Sequence, residues 1–263
     1  MIVSTHGIIG SSGGVSYDVD AQAFITATGI TNNTQKSAVN QLVLDLKSYS
    51  IWTKMKAVYP FVGGTATTHK YNLKDPRDLD AAYRLVFVNG WTHSSTGALP
   101  NGTDAYADTK LSALNVSTTN HLSYYSRTTS VGVTCEVGCY DSTTATINQL
   151  RVCGNYASGS ISLPLSFTST TDAKGFWVGS KRGISDREIY KNSTSEATSS
   201  TVEPTNNPNK IIYLGARNEN TGANLFSNKE CAFASIGDGL TDAEEANFYT
   251  VVQNFNTTLS RNI

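Results

Sequence analysis

No stretch of the 263 residues stays apolar for anything like the roughly 20 positions a membrane-spanning helix requires, so no transmembrane anchor and no membrane insertion are expected. Excess positive charge is missing as well. Twenty Lys and Arg against 21 Asp and Glu give a net charge of −1, which argues against wrapping nucleic acid, because phosphate binding needs a basic surface that displaces counterions. The opening residues, MIVSTHGIIGSSGG, lack the basic start and the apolar length of a secretory signal, so none is expected. No internal repeat is visible, which disfavours a propeller or a solenoid. Metal and hydrolase patterns are also wanting. His6, His69, His93 and His121 are scattered, with no H-x3-H pair, and the spacing Cys135-x3-Cys139 has no second close pair to complete a zinc site. His93 lies beside Ser94 and Ser95, but no G-x-S-x-G elbow accompanies it, so a hydrogen-bonded histidine at the root of a loop is expected.

What remains is a low-charge chain, 16% Asp, Glu, Lys and Arg, rich in Thr, Ser, Asn, Gly and Tyr, as suits a β protein with many turns. Its most informative stretch is the end, Lys210 to Ile263. Ile211 to Ala216 and Cys231 to Ile236 have the β-branched and aromatic bias of strands, Asn218 to Gly222 supply a turn, and Gly237 and Gly239 are expected to break the second strand. Thr241-Asp242-Ala243-Glu244 is a capping box, and Phe248, Val251, Val252, Phe255 and Leu259 then repeat at helical spacing. Near the start, Asp20 introduces AQAFITAT and Gly29 stops it; Thr31 or Thr34 caps a second helix with Ala38, Val39, Leu42, Val43 and Leu46 on one face. Between these helices lie short strands: Tyr83 to Asn89, Ile161 to Phe167 with Pro164 marking an edge or a bulge, and Phe176 to Gly179. Many strands, no βαβ rhythm and helices only at the ends predict two packed antiparallel sheets.

Three phrases, IGDGLTDAEEANFYTVVQNFNTTLSRNI, YPFVGGTATTHKYNLKDPRD and GWTHSSTGALPNGTDAYADT, resemble the laminin-G-like, concanavalin-A-like domains of bacteriophage virion proteins, over a span from about Asp18 to the C-terminus. The resemblance implies a mainly β, two-sheet jelly-roll sandwich, with an N-terminal helical region and a C-terminal capping helix. It implies a structural or glycan-recognising module of a fibre, spike or capsid decoration, and no cofactor. The chain then divides into an arm (1–17), a helical region (18–56) and a sandwich with its terminal helix (57–263). In the Gly- and Ser-rich arm, Ile2, Ile8 and Ile9 bury too little apolar area to order it alone, so a neighbouring virion subunit or a symmetry mate is expected to receive them. Localisation on the virion surface, other virion proteins as partners and a homo-oligomer, a trimer by fibre habit, follow from the same resemblance. A free lectin or glycan-degrading protein of this fold is the alternative.

The concanavalin-A-like fold also hosts glucanases, which project two carboxylates from one strand into a sugar cleft. The candidate pairs do not match that spacing: Asp78 and Asp80 sit in a turn, Asp186 and Glu188 in a charged loop, and Asp242 with Glu244 at a helix start. No catalysis is therefore expected. Binding stays open, since Trp91 with Asn101, Asp104, Tyr106 and Asp108 combines an aromatic ring with oxygen and amide groups in one loop region. Two other readings compete: Trp91 and Tyr106 complete the core while Asn101-Gly102 makes a hairpin turn, or Asp104 and Asp108 hold calcium, for which no EF-hand-like pattern exists. Strand alternation from Val131 to Cys139 places Cys135 and Cys139 in the core; a buried thiol is favoured over a disulfide there and at Cys231.

Overall fold

The computed structural model describes residues 16–152, 155–160, 165–166, 171–202 and 206–263, of which 155–160 and 165–166 as backbone alone. The anchor expected at Ile2, Ile8 and Ile9, together with Cys153, Pro164 and most of the strand expected over 161–167, lies outside the described residues. The described residues form four α-helices: α1 (Val19–Thr28), α2 (Asn33–Ser48), the single turn α3 (Ala66–His69) and α4 (Asp242–Thr258). None is long and apolar enough to cross a membrane.

The long helices follow from their capping and stripes. In α4, Thr241 and Glu244 form the expected box, and Phe248, Val251, Val252 and Phe255 are buried. The expected stripe of α2 is likewise buried throughout, but its cap is Asn32, whose side chain accepts from the Gln35 amide; neither Thr31 nor Thr34 does this. Similarly α1 starts from Asp18, not Asp20, because the Asp18 carboxylate accepts the Asp20 amide and also meets Lys47 of α2 at 2.7 Å. Gly29 ends α1 at φ 66°, in the left-handed conformation predicted for it. Tyr17, assigned above to the arm, is partly buried against this helical layer.

Two sheets carry the rest. The first has eight strands, β1 (Met55–Tyr59), β3 (Trp91–Ser94), β4 (Gly97–Pro100), β6 (Asn120–Ser126), β11 (Gly175–Gly183), β12 (Asp186–Lys191), β13 (Thr194–Ser199) and β17 (Cys231–Asp238). The second has nine, β2 (Val86–Val88), β5 (Tyr106–Ser112), β7 (Val137–Asp141), β8 (Thr146–Arg151), β9 (Asn155–Ser160), β10 (Leu165–Ser166), β14 (Ile211–Leu214), β15 (Arg217–Glu219) and β16 (Gly222–Asn224). Among the described residues, all strand pairings are antiparallel except that of β15 with β7.

Strand parity builds three layers. Leu122, Tyr124, Trp177, Ala234 and Ile236 of the first sheet join Val137, Cys139, Leu150, Ile212 and Leu214 of the second in one core cluster. Tyr125, Phe176, Val178 and Phe233 point the other way, into a cluster shared with α1, α2 and α4. The first sheet is thus buried on both faces, which explains why β6 and most of β17 contain no exposed position.

Several local expectations are corrected by this arrangement. Gly237 lies within β17 and does not break it: β1 pairs there, and a Cβ at Gly237 would stand 2.3 Å from the Lys54 carbonyl oxygen. Only Val86–Val88 of the segment from Tyr83 to Asn89 is strand, since Tyr83 closes a 3-10 turn at φ 60°. The alternation from Val131 begins too early; Val131 and Val133 are 51% and 71% exposed, and the strand starts at Val137. Cys135 is buried nonetheless, held by its amide on the Leu225 carbonyl, and Cys135, Cys139 and Cys231 are buried free thiols. Asn101-Gly102 makes no hairpin, because the chain passes there from β4 of the first sheet to β5 of the second.

Candidate functional site

Burial alternates strictly along β5: Ala107, Thr109 and Leu111 point inward, while Tyr106, Asp108 and Lys110 are half-buried on the outer face of the second sheet. Its neighbour β14 alternates in the same way, with Tyr213 outward between Ile212 and Leu214. Register sets Tyr213 opposite both Asp108 and Gly138. The rings of Tyr106 and Tyr213 stack with centroids 4.5 Å apart and planes at 18°. Lys110 clasps Asp108 with its amide at 2.7 Å and its ammonium at 3.1 Å. Two positions on from Gly138, and so on the same face, the Tyr140 ring lies 5.4 Å from the Arg217 guanidinium, which also donates to Gln149 and pairs with Glu219. Burial, with Tyr106 and Asp108 adding to it, pushes the Tyr213 hydroxyl up to about 12, so it stays a hydrogen-bond donor at neutral pH.

This face offers aromatic surface for the C–H side of a sugar ring, ringed by carboxylate, ammonium, guanidinium and phenol groups for its hydroxyls. Of the residues expected at a binding site, the structure brings Tyr106 and Asp108 onto it. Trp91, Asn101 and Asp104 stand elsewhere. Trp91 is half-buried on β3, edge-on to Phe87 at 5.3 Å and packed so closely on Gly215 that a Cβ there would lie 2.8 Å from the indole. The Asn101 carbonyl oxygen accepts the amides of Thr103, Asp104 and Ala105, and its amino group donates to Asp104 at 2.7 Å, so both side chains tie the crossover loop together. No group of three or more His, Cys, Asp or Glu able to hold a metal exists among the described residues. Tyr140, Tyr213, Lys110 and Arg217 escaped the sequence reading. The alternation in Ile211-Ile212-Tyr213-Leu214 was legible, but strands with no sequence proximity supply the other rings.

Groups with catalytic potential are placed as follows. His69 and His93, 24 positions apart and without a metal-ligand spacing in the sequence, meet with their Nδ1 atoms at 2.9 Å. The Gly64 amide donates to His69 Nε2, which leaves the His69 Nδ1 proton for His93. Burial holds His69 down at about 3, and Ser94 bonds to Thr96. His121 does contact a serine, Ser235, at 2.9 Å, but the pair is sealed beneath Phe248 of α4, and burial lowers His121 to about 4.

Asp186 and Glu188, expected in a charged loop, lie on β12, two positions apart and hence on one face. Arg182 binds both, at 2.7 and 2.9 Å, and also reaches Asp242 at the start of α4; Tyr190 donates to Glu188 and Asp242. Glu245 of α4 is buried beside this group. One of its oxygens accepts from Ser193 and the other has no partner among the described residues; desolvation, with Glu188 and Asp242 adding, raises it to about 7. Folded Glu245 therefore holds its proton more tightly than the unfolded chain does. Its contribution is complete below the ordinary glutamate value of 4.5 and is lost as pH rises through about 7. Glu245→Gln is expected to flatten this fall and to stabilise the protein at pH 8 by on the order of 3 kcal/mol. Urea unfolding at pH 5 and pH 8 checks it, and equal gains at both pH values would count against the burial argument.

No protein-family model matches the chain, and no curated protein matches its sequence. Solved structures share its fold. A structure of botulinum neurotoxin type C, in work on its cell entry and interaction with two ganglioside molecules, is similar at a TM-score of 0.52 and 8% identity, over 78% of this chain and 53% of that one. Domain 4 of the extracellular arabinanase AbnA from Geobacillus stearothermophilus, in complex with arabinotriose, gives 0.43 and 12%, over 74% of this chain and 98% of that one. A mutant Trypanosoma rangeli sialidase gives 0.49 and 10%, over 82% and 38%. The chain thus spans about half of the neurotoxin structure, and the likeness is one of fold.

Proposed function

We propose that this protein is a non-catalytic glycan-binding sandwich displayed on the surface of a bacteriophage particle, as part of a fibre, a spike or the capsid decoration. The observation that carries the binding part is the outer face of the second sheet, where Tyr106 and Tyr213 stack at 4.5 Å beside Asp108 and Lys110. The outer face of a sheet, with these groups side by side on neighbouring strands, fits an extended saccharide chain better than a single sugar. The shared fold of the botulinum neurotoxin type C structure, described through its interaction with two ganglioside molecules, supports the same reading. The particle setting rests on the three phrases that resemble phage virion domains.

Glycan-array screening followed by calorimetry tests the binding. Tyr213→Ala is expected to weaken the best glycan about tenfold, the equivalent of about 1.4 kcal/mol, while the melting temperature changes little. Unchanged affinity in this variant would remove the outer face from the reading. Arg182 holds Asp186 and Glu188, and His93 faces His69, so no turnover of polysaccharides or simple esters is expected. Turnover abolished by Glu188→Gln would point to the glycan-degrading alternative. Antibody labelling of particles under negative stain tests the location. Deletion of residues 2–15, which spares the packed Tyr17, is expected to leave the fold intact and to abolish incorporation if Ile2, Ile8 and Ile9 are the anchor.

A further inference from the structure

A pocket of about 410 Å³ opens at one end of the sandwich, where the chain leaves β5, turns between β7 and β8, and approaches β14. Its apolar wall is Leu114 and Val116; the remaining lining comes from threonines and asparagines, including Thr144, Thr146, Asn207 and Asn209. No charged side chain and no aromatic ring lines it among the described residues. The Asn207 amino group is spent on the carbonyls of Val116 (2.9 Å) and Ser117 (3.2 Å), which fixes the wall and leaves its carbonyl oxygen as an acceptor. The hydroxyls of Thr144 and Thr146 bond to each other at 2.7 Å. Only one proton serves that contact, so the second hydroxyl keeps its proton for an outside acceptor. Beyond Thr146 on the same face of β8, Asn148 is fully buried opposite Cys139, and neither of its side-chain polar atoms has a partner among the described residues. This end of the sandwich therefore has polar capacity that its own side chains do not use.

We propose that the pocket binds one or two residues of an uncharged saccharide. Its volume falls within the roughly 300–1,000 Å³ of small-ligand sites. Neutral donors and acceptors beside an aliphatic wall match a ring that is hydroxylated at its edge and C–H-bearing on its face. The chemistry excludes the alternatives one by one. Without a cation the pocket has nothing to pair a phosphate, a uronate or a sialate, and without an aromatic ring nothing to stack a nucleobase. The inference shares its ligand class with the proposed function but none of its residues, so the two stand or fall separately.

The test is an NMR titration of the isotope-labelled full chain with glucose, galactose, mannose, N-acetylglucosamine and their disaccharides, and with sialic and glucuronic acids. Saturable shifts are expected for the amides of Thr144, Thr146 and Asn209 with at least one neutral sugar and with neither acid. Asn209→Leu and Thr144→Val, both at exposed positions that should not disturb folding, are each expected to weaken that sugar at least fivefold. Acids binding as well as neutral sugars, unaltered affinity in both variants, or no shift at these amides with any sugar would overturn the proposal. Shifts confined to Tyr106 and Tyr213 would overturn it while leaving the outer face as the site.

Discussion

Val252→Asp is expected to cost several kcal/mol and to lower the melting temperature by more than about 10 °C. Val252 is fully buried on α4, in the layer where Phe248 meets Phe176 at 5.1 Å and Phe233 at 5.9 Å. The apolar stripes of α1 and α2 occupy the same cluster, so a carboxylate at this position is set among apolar side chains and away from water. Either it stays charged at a large desolvation cost, or α4 lifts and exposes the first sheet. Both routes take most of a typical stability of about 5–15 kcal/mol. Leu44→Asp is the control, because Leu44 lies on α2 but is 41% exposed; it should melt within about 2 °C of the unmodified protein. Thermal unfolding of the two variants decides the matter. A Val252→Asp protein as stable as the control would mean that α4 does not seal the sheet.

Lys229→Met should be nearly as damaging, at about 3–5 kcal/mol, by a different mechanism. Lys229 and Glu136 form an ion pair at 3.1 Å in which both side chains are fully buried. Lys229 also donates to Thr134 at 2.6 Å, while Glu136 accepts from Thr134, Ser227 and the Val152 amide. The network pins the segment entering β17 to the start of β7. Removing the ammonium strands a buried carboxylate, and the remaining neutral donors do not replace the lost charge. The double variant Lys229→Met/Glu136→Gln removes that carboxylate and should recover part of the loss, as denaturant unfolding would show. A double variant less stable than Lys229→Met alone would refute the stranded-charge account.

The sequence determined its local elements well wherever one short stretch carried both the periodicity and the end signals. The Thr241 box and the stripe through Phe248, Val252 and Phe255 gave α4, and Ala38 to Leu46 gave the buried face of α2. Gly29 marked a helix end because few other residues accept a left-handed backbone there. The wealth of short strands and the lack of a βαβ rhythm were enough for a two-sheet sandwich. The cap of α2 was misplaced by a residue or two, since Asn32 stands where Thr31 or Thr34 was expected.

The tertiary structure alone decided which residues share a surface. Tyr106 and Tyr213 stack although 107 positions separate them, because β14 lies between β5 and β7; a periodicity reports which face a residue is on and never which strand lies beside it. Trp91 and Tyr106, close in sequence, diverge because the chain changes sheets between β4 and β5. His69 and His93 meet, Asp186 and Glu188 share a strand under Arg182, and Gly237 stays within β17 for the same reason. In each case the deciding contact is long-range, and its energy depends on partners that are set only once the three layers have packed.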